Sequence, residues 1–160
     1  MMRLRPRLLS LLSQVLPGRS DAEVGWLINE QFIVKEAHSG EAAAFAWHRD
    51  SDGVASASYL SVWVPLDDVS EENGTLYIAP RTHVRDADCG GTLPSPPSHA
   101  SLEDLAVVVS AGAAVVLSSL VLHCSGNNYS DAARRVWMPQ IGWFPLRSAD
   151  GATIGCAVPL

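Results

Sequence analysis

Trp47-His48-Arg49-Asp50 is followed 73 residues after the aspartate by His123, and 11 residues later by Arg134. A histidine and a carboxylate two positions apart on an extended segment point the same way, because side chains alternate across a strand. One more imidazole completes a facial set of two histidines and one carboxylate. That set suits Fe(II) and leaves coordination positions for a co-substrate and O2. Zinc more often takes three or four ligands in a tetrahedron, so a barrel holding structural zinc is the competing reading. Arg134 favours iron, since a guanidinium grips the far end of a dicarboxylate bidentately.

The residues around these positions carry more than the tripeptide does. Segments 43–50 (AAFAWHRD), 60–68 (LSVWVPLDD), 72–83 (ENGTLYIAPRTH) and 113–135 (AAVVLSSLVLHCSGNNYSDAARR) resemble the phytanoyl-CoA dioxygenase family in order and spacing. The strongest parts are the WHxD, the ENG turn, the P-x-[ST]-H turn and the H-x-S-G-x-N-x-S run that leads to Arg134. Members of that family are non-haem iron oxygenases that use 2-oxoglutarate. The resemblance implies Fe(II) on His48, Asp50 and His123, and 2-oxoglutarate as co-substrate with its distal carboxylate on Arg134. It also implies an enzyme that couples decarboxylation of the co-substrate to hydroxylation of a small-molecule or lipid-like substrate by O2. Arg134 is preferred to the adjacent Arg135 because the family's arginine sits eleven positions after the distal histidine. Related iron halogenases carry a small residue where Asp50 stands, so this carboxylate implies oxygenation.

Eight strands must position these groups. Apolar, β-branched and aromatic runs fall at 24–35, 43–48, 57–66, 74–79, 105–109, 113–118, 120–124 and 134–143, separated by Gly, Pro, Asn and Asp clusters. Eight is the number required by an all-β, double-stranded β-helix of the jelly-roll or cupin kind. In that fold the HxD follows the second strand, the distal histidine ends the seventh and the arginine opens the eighth. Alternation puts Ala44 and Ala46 on the side of His48, with Phe45 and Trp47 opposite. On the third strand Tyr59, Ser61 and Trp63 face the cavity as a substrate wall, and Leu60, Val62, Val64 and Leu66 face away. For Trp63 plain core packing competes with the pocket role. Gln31 and Lys35, four apart on the first strand, share a face, and in related enzymes nearby positions line the co-substrate pocket. Lys35 is the only lysine of the chain; a strand-end charge in solvent is the competing reading. His83 belongs to the P-x-[ST]-H turn, while His38 and His99 lie in polar loops.

Composition bounds the function class. At 160 residues the chain suits one domain with a real core, and no apolar run approaches the length of a membrane span. The first 20 residues hold four arginines and no acid, leaving seven basic against seventeen acidic residues beyond them, a net −10. Nucleic acid is therefore excluded as a partner, and the phosphates of an acyl-CoA find no clear site. Cys89, Cys124 and Cys156 are odd in number and scattered, which fits a reducing compartment and a cytoplasmic location. A mitochondrial one is the alternative, since residues 1–20 combine arginine and serine with an apolar face. The same segment reads equally as a helix, with Leu8, Leu9, Leu12 and Val15 or Leu16 at helical spacing and Pro17-Gly18 as its stop.

Residues 21–160 then form the barrel, with less chain before the first strand than the family usually has. The aliphatic outer face would need a cover, from helix 8–16 or from a second copy in a homodimer. A truncated, non-catalytic barrel that binds a ligand or a protein is the alternative function. Two positions depart from the family pattern: Arg81 stands where glycine is usual, and Arg49 where glutamine is common. Residues 81–104 form a long Pro/Ser/Gly-rich loop that could serve as a lid.

Overall fold

The computed structural model of the protein describes residues 5–16, 24–40, 43–52, 59–84, 104–148 and 150–160. Among the described residues one helix, α1 (Arg5–Val15), precedes eleven strands. They are β1 (Trp26–Lys35), β2 (Phe45–His48), β3 (Leu60–Pro65), β4 (Leu76–Ile78), β5 (Leu105–Ala106), β6 (Val115–Ser118), β7 (His123–Ser125), β8 (Arg134–Gly142), β9 (Leu146–Arg147), β10 (Thr153–Ile154) and β11 (Val158–Pro159). The first eight match the runs found in the sequence. The last three are two-residue strands, too short to leave a periodic signal.

Two antiparallel sheets make the jelly roll. The larger has the order β11-β1-β8-β3-β6, the smaller β2-β7-β4-β5, and β9 and β10 form a separate pair. Between the sheets lie Trp63, Val69, Leu76, Val107, Leu117, Val121, Val136 and Met138. Alternation along β8 sends Arg134, Val136, Met138 and Gln140 inward. Their register partners on β1 are Lys35, Ile33, Gln31 and Asn29, so the inner face of the large sheet runs from two cations at one end to amides at the other.

The outer face of this sheet is where the sequence left a question. Leu27, Ile141 and Leu60 are register neighbours across three strands, and with Val62 and Trp143 they form the floor on which Leu12 and Leu16 are buried. The helix thus covers the aliphatic face, and the Trp143 indole N–H donates to the Leu16 carbonyl at 3.3 Å. Pro6 in the first turn costs no hydrogen bond there. Val64 is half-buried and Leu66 is 45% exposed, so the cover stops short of the end of β3. Leu60 and Val62 are thus buried beneath α1. Gly25 passes under the helix where a Cβ would lie 2.7 Å from Leu9 Cδ2.

Candidate metal centre

His48 ends β2 and His123 opens β7, directly opposite it in register. The expectation that the distal histidine ends the seventh strand is thus corrected: the Ser119–Leu120 turn occupies the start of that apolar run. A register shift lies between Phe45 and His48, where four residues of β2 span three of β7. This bulge breaks strict alternation, and it overturns the expected outward packing of Phe45. Phe45 lies on the cavity side with His48, their ring centroids 6.3 Å apart.

The segment after His48 is stitched to the turn before His123. Ser51 N–H donates to the Ser119 carbonyl at 3.1 Å, Arg49 Nε to the Leu120 carbonyl at 3.0 Å, and Arg49 N–H to Asp52 at 2.9 Å. The buried Arg49 side chain therefore locks the HxD to the second histidine's turn. On the other side, Leu122 N–H donates to Thr82 Oγ1 at 2.9 Å and Ala79 N–H to the Leu122 carbonyl at 3.0 Å. That is the structural use of the P-x-[ST]-H turn. Arg81 adopts φ 67° there, so the turn keeps a left-handed backbone and the arginine bears the strain that a glycine would not. His83 is exposed, and His38 pairs with Asp131 at the surface. His99 lies outside the described residues, as does most of the 81–104 loop.

The three ligand atoms of His48, Asp50 and His123 lie within 4.8 Å of one another. Each histidine donates its Nδ1–H to the carbonyl two residues earlier, His48 to Ala46 at 2.7 Å and His123 to Val121 at 3.1 Å. A carbonyl only accepts, so the proton is on Nδ1 and the Nε2 lone pair is free. Those Nε2 atoms stand 3.7 and 3.6 Å from Asp50 Oδ1, too far for hydrogen bonds. Three lone-pair atoms converging on one point repel each other unless a cation lies between them, and this donor set fits a divalent ion. Burial lowers the His123 pKa, outweighing the pull of Asp50, which keeps that imidazole neutral and able to ligate.

Behind Asp50 the structure places two residues expected to line the substrate wall. Ser61 Oγ donates to Asp50 Oδ2, and the Tyr59 hydroxyl donates to the Asp50 backbone carbonyl at 2.6 Å. Tyr59 is 3% and Ser61 0% exposed, and neither lines the cavity. Their faces follow the alternation, but what they meet is the carboxylate. Burial, then the charges of Asp50 and Asp52, pushes the Tyr59 phenol well above its ordinary pKa, so it serves only as a donor. Gln140, which sequence reasoning missed, also donates to Asp50 Oδ2, at 3.3 Å. Continuing the alternation of β8 from Arg134 would have found it.

The cavity holds about 140 Å³ and is lined by Gln31 and by Phe45, Trp63, Met138 and other apolar side chains between the metal ligands and Arg134. Arg134 is 1% exposed. Its Nη2 donates to the Gly74 carbonyl and its Nε reaches the Asn73 carbonyl at 3.5 Å, while Nη1 is buried without a partner. Two of the five N–H groups are thus spent on the ENG turn, and both N–H groups of Nη1 are left for an anion. Trp63 lies beneath the guanidinium, 5.5 Å from its ring centre. Burial brings the Arg134 pKa down to about 10, which still leaves it charged at neutral pH. Arg135 points outward and pairs with Asp67 at 2.6 Å.

Lys35 is also buried but does not line the cavity; its ammonium donates to the carbonyls of Ala43 and Gly126. Burial, then the neighbouring Arg134, lowers its pKa to about 8. Gly74, at φ 82°, admits Lys35 and the facing loop: a Cβ there would lie 2.7 Å from the Gly126 carbonyl and 2.8 Å from Lys35 Cδ. Asn128 closes the arrangement, donating to the Lys35 and Ala132 carbonyls and accepting from the Ser130 N–H and hydroxyl.

The model of one family, phytanoyl-CoA dioxygenase (PhyH), matches residues 2–136. The chain belongs to the PhyH family. PhyH proteins use Fe(II) and 2-oxoglutarate, and the residues present fit both: the three-atom donor set for the ion, and the orphaned Arg134 donor for a carboxylate. Among curated relatives, L-proline trans-4-hydroxylase of Streptomyces griseoviridis is 32% identical over 81 residues, 47% of this chain and 28% of the relative. The chain thus spans well under half the length of the curated relative it matches. Among solved structures, the nickel complex of the non-heme monooxygenase ThoJ aligns with TM-score 0.65 and 21% identity, covering 97% of this chain and 61% of that one. EvdO2 of Micromonospora carbonacea var. aurantiaca, complexed with 2-oxoglutarate, gives TM-score 0.63 and 24% identity over 97% and 62%. SnoN, a non-heme alpha-ketoglutarate-dependent epimerase from nogalamycin biosynthesis, gives 0.67 and 21% over 99% and 69%. At these identities the likenesses carry the fold.

Proposed function

We propose that this PhyH protein is a non-haem iron oxygenase that couples decarboxylation of 2-oxoglutarate to hydroxylation of a small-molecule or lipid-like substrate. The observation that carries this reading is one cavity with a facial His48–Asp50–His123 donor set and a buried, unshared N–H on Arg134. When bound, Fe(II) would supply the chemistry that activates O2 as the oxidant, with 2-oxoglutarate as the co-substrate that gives up two electrons on losing CO2. The protein's residues orient and protect that chemistry. His48, Asp50 and His123 hold the ion; Arg134 takes the distal carboxylate of the co-substrate, with Gln31 further along the same cavity wall. Trp63, Leu76, Leu117 and Met138 keep water from the reacting centre. Lys35 acts from behind, tying the loops before β2 and after β7 together. The carboxylate at Asp50, together with the similarity to a proline hydroxylase, supports hydroxylation over halogenation. Among the described residues no helix is long and apolar enough to cross a membrane, and the scattered cysteines support a cytoplasmic location.

The test is succinate production with Fe(II), 2-oxoglutarate and ascorbate, screened against a metabolite panel. We expect substrate-stimulated succinate that His48→Ala, Asp50→Ala and His123→Ala each abolish, and anaerobic addition of Fe(II) and 2-oxoglutarate should give a weak visible charge-transfer band. Protein that binds both without that band, or full turnover in any of the three variants, would sink the assignment.

A further inference from the structure

Asn29, Gln140 and Ser61 are register neighbours on β1, β8 and β3, and their side chains form a single hydrogen-bonded row that ends on Asp50. The direction of every bond in it is fixed. The backbone N–H of Glu30 donates to Asn29 Oδ1 at 2.9 Å, and a backbone amide has no other role, so Asn29 must turn its Nδ2 to Gln140. That group donates to Gln140 Oε1 at 3.1 Å. Gln140 Nε2 is thereby aimed at Ser61 Oγ, 3.1 Å away, and at Asp50 Oδ2, 3.3 Å away. Ser61, accepting from Gln140, has its own proton left for Asp50 Oδ2. Gln140 is 4% and Ser61 0% exposed, so water does not compete for these bonds.

Resting on the reading of Asp50 as a metal ligand, we infer that Gln140 and Ser61 are positioning residues that hold Asp50 as a one-oxygen ligand, and that Asn29 sets the orientation of Gln140. Two donors occupy Oδ2 from the side away from the histidines, which leaves Oδ1 as the atom facing both Nε2 groups. A carboxylate free to chelate with both oxygens would take a further coordination position that co-substrate and O2 require. A flipped Gln140 amide would present its carbonyl to the carboxylate and repel it.

The experiment is titration of the full chain with Mn(II), a redox-silent stand-in for Fe(II), followed by the visible spectrum of the Co(II)-loaded protein. Loss of partners that orient a ligand typically costs about 10- to 100-fold in metal affinity. We expect that loss in Ser61→Ala and in Gln140→Met, with a changed Co(II) band. Ser61→Thr, which restores the hydroxyl, should regain wild-type affinity and spectrum. Asn29→Ala should weaken binding in the wild-type background and have no added effect in Gln140→Met, as coupling through Gln140 requires. Should Gln140→Met fail to fold, the Ser61→Ala and Ser61→Thr pair carries the test alone. Affinity within twofold of wild type in folded Ser61→Ala, or an Asn29→Ala loss that is the same with and without Gln140, overturns the inference. A wild-type chain that binds no Mn(II) would instead overturn the metal centre itself, and this inference with it.

Discussion

Replacing Arg134 by methionine removes the guanidinium while keeping most of the stem, and its effect on 2-oxoglutarate follows from how the nitrogens are spent. Nε and one N–H of Nη2 are turned to the carbonyls of Asn73 and Gly74, and both N–H groups of Nη1 have no partner. A hydrogen bond to a charged group contributes about 1.5–3 kcal/mol, so an anchor through a single N–H predicts about a 10- to 150-fold loss of affinity. A bidentate grip would predict twice the energy, a loss of about 10²- to 10⁴-fold. Calorimetric titration of 2-oxoglutarate into Mn(II)-loaded protein distinguishes the two, and metal affinity should be retained. Arg135→Ala is the control, since its side chain pairs with Asp67 on the surface, and it should leave co-substrate affinity unchanged. A folded Arg134→Met protein that binds 2-oxoglutarate within twofold of wild type would refute the anchor. A loss above a thousandfold would mean that two N–H groups grip the carboxylate. The two arginines behaving in reverse would mean that the strand register is wrong by one residue.

Leu12→Ala should lower stability by about 2–5 kcal/mol in urea melts, the usual cost of emptying a fully buried leucine site, without changing Mn(II) affinity. A milder effect would mean that α1 does not cover the outer sheet as described. Gly74→Ala should cost at least about 1–2 kcal/mol for the left-handed backbone alone, and should also weaken 2-oxoglutarate binding because Arg134 leans on the Gly74 carbonyl; wild-type stability and affinity would contradict both. Lys35 has its folded pKa lowered from 10.5 to about 8, so between those values the unfolded chain binds more protons. Stability of the wild type relative to Lys35→Met should therefore be flat below about pH 8 and rise with pH from there towards 10.5. A difference that does not change between pH 7 and 10 would show that Lys35 is not buried as a cation.

The sequence carried the sides of strands well and their neighbours poorly. Period-two alternation put Ser61, Tyr59 and Trp63 on the inner face, yet only Trp63 meets the cavity, because which side chain lies across from Ser61 depends on pairing with β8 and on the turn that carries Asp50. The β2 bulge is invisible for a related reason: one extra residue leaves composition unchanged while moving Phe45 to the metal side. The ENG and H-x-S-G-x-N motifs were legible as turns, but their purpose, packing around Lys35 and Arg134, needs the two loops brought together. Strands β9 to β11 fall among Gly, Ala and Ser residues with two positions each, so no pattern could form. The triad and Arg134 stood out because ligand chemistry demands particular residue types, whereas Gln140 and Asn29 have the same composition as any polar surface position.

The two histidines and the aspartate are oriented by different means, and this divides the ways in which the centre can vary over generations. His48 and His123 are aimed by main-chain carbonyls two residues upstream, which every amino acid except a rearranged backbone would supply equally. Point mutations around them are therefore largely silent for imidazole orientation. Asp50 depends on a serine hydroxyl and a glutamine amide, each removable by a single substitution. Gradual tuning of the ion's affinity is thus open to this lineage chiefly through the carboxylate side, while the imidazole side changes only if the strand itself is rebuilt.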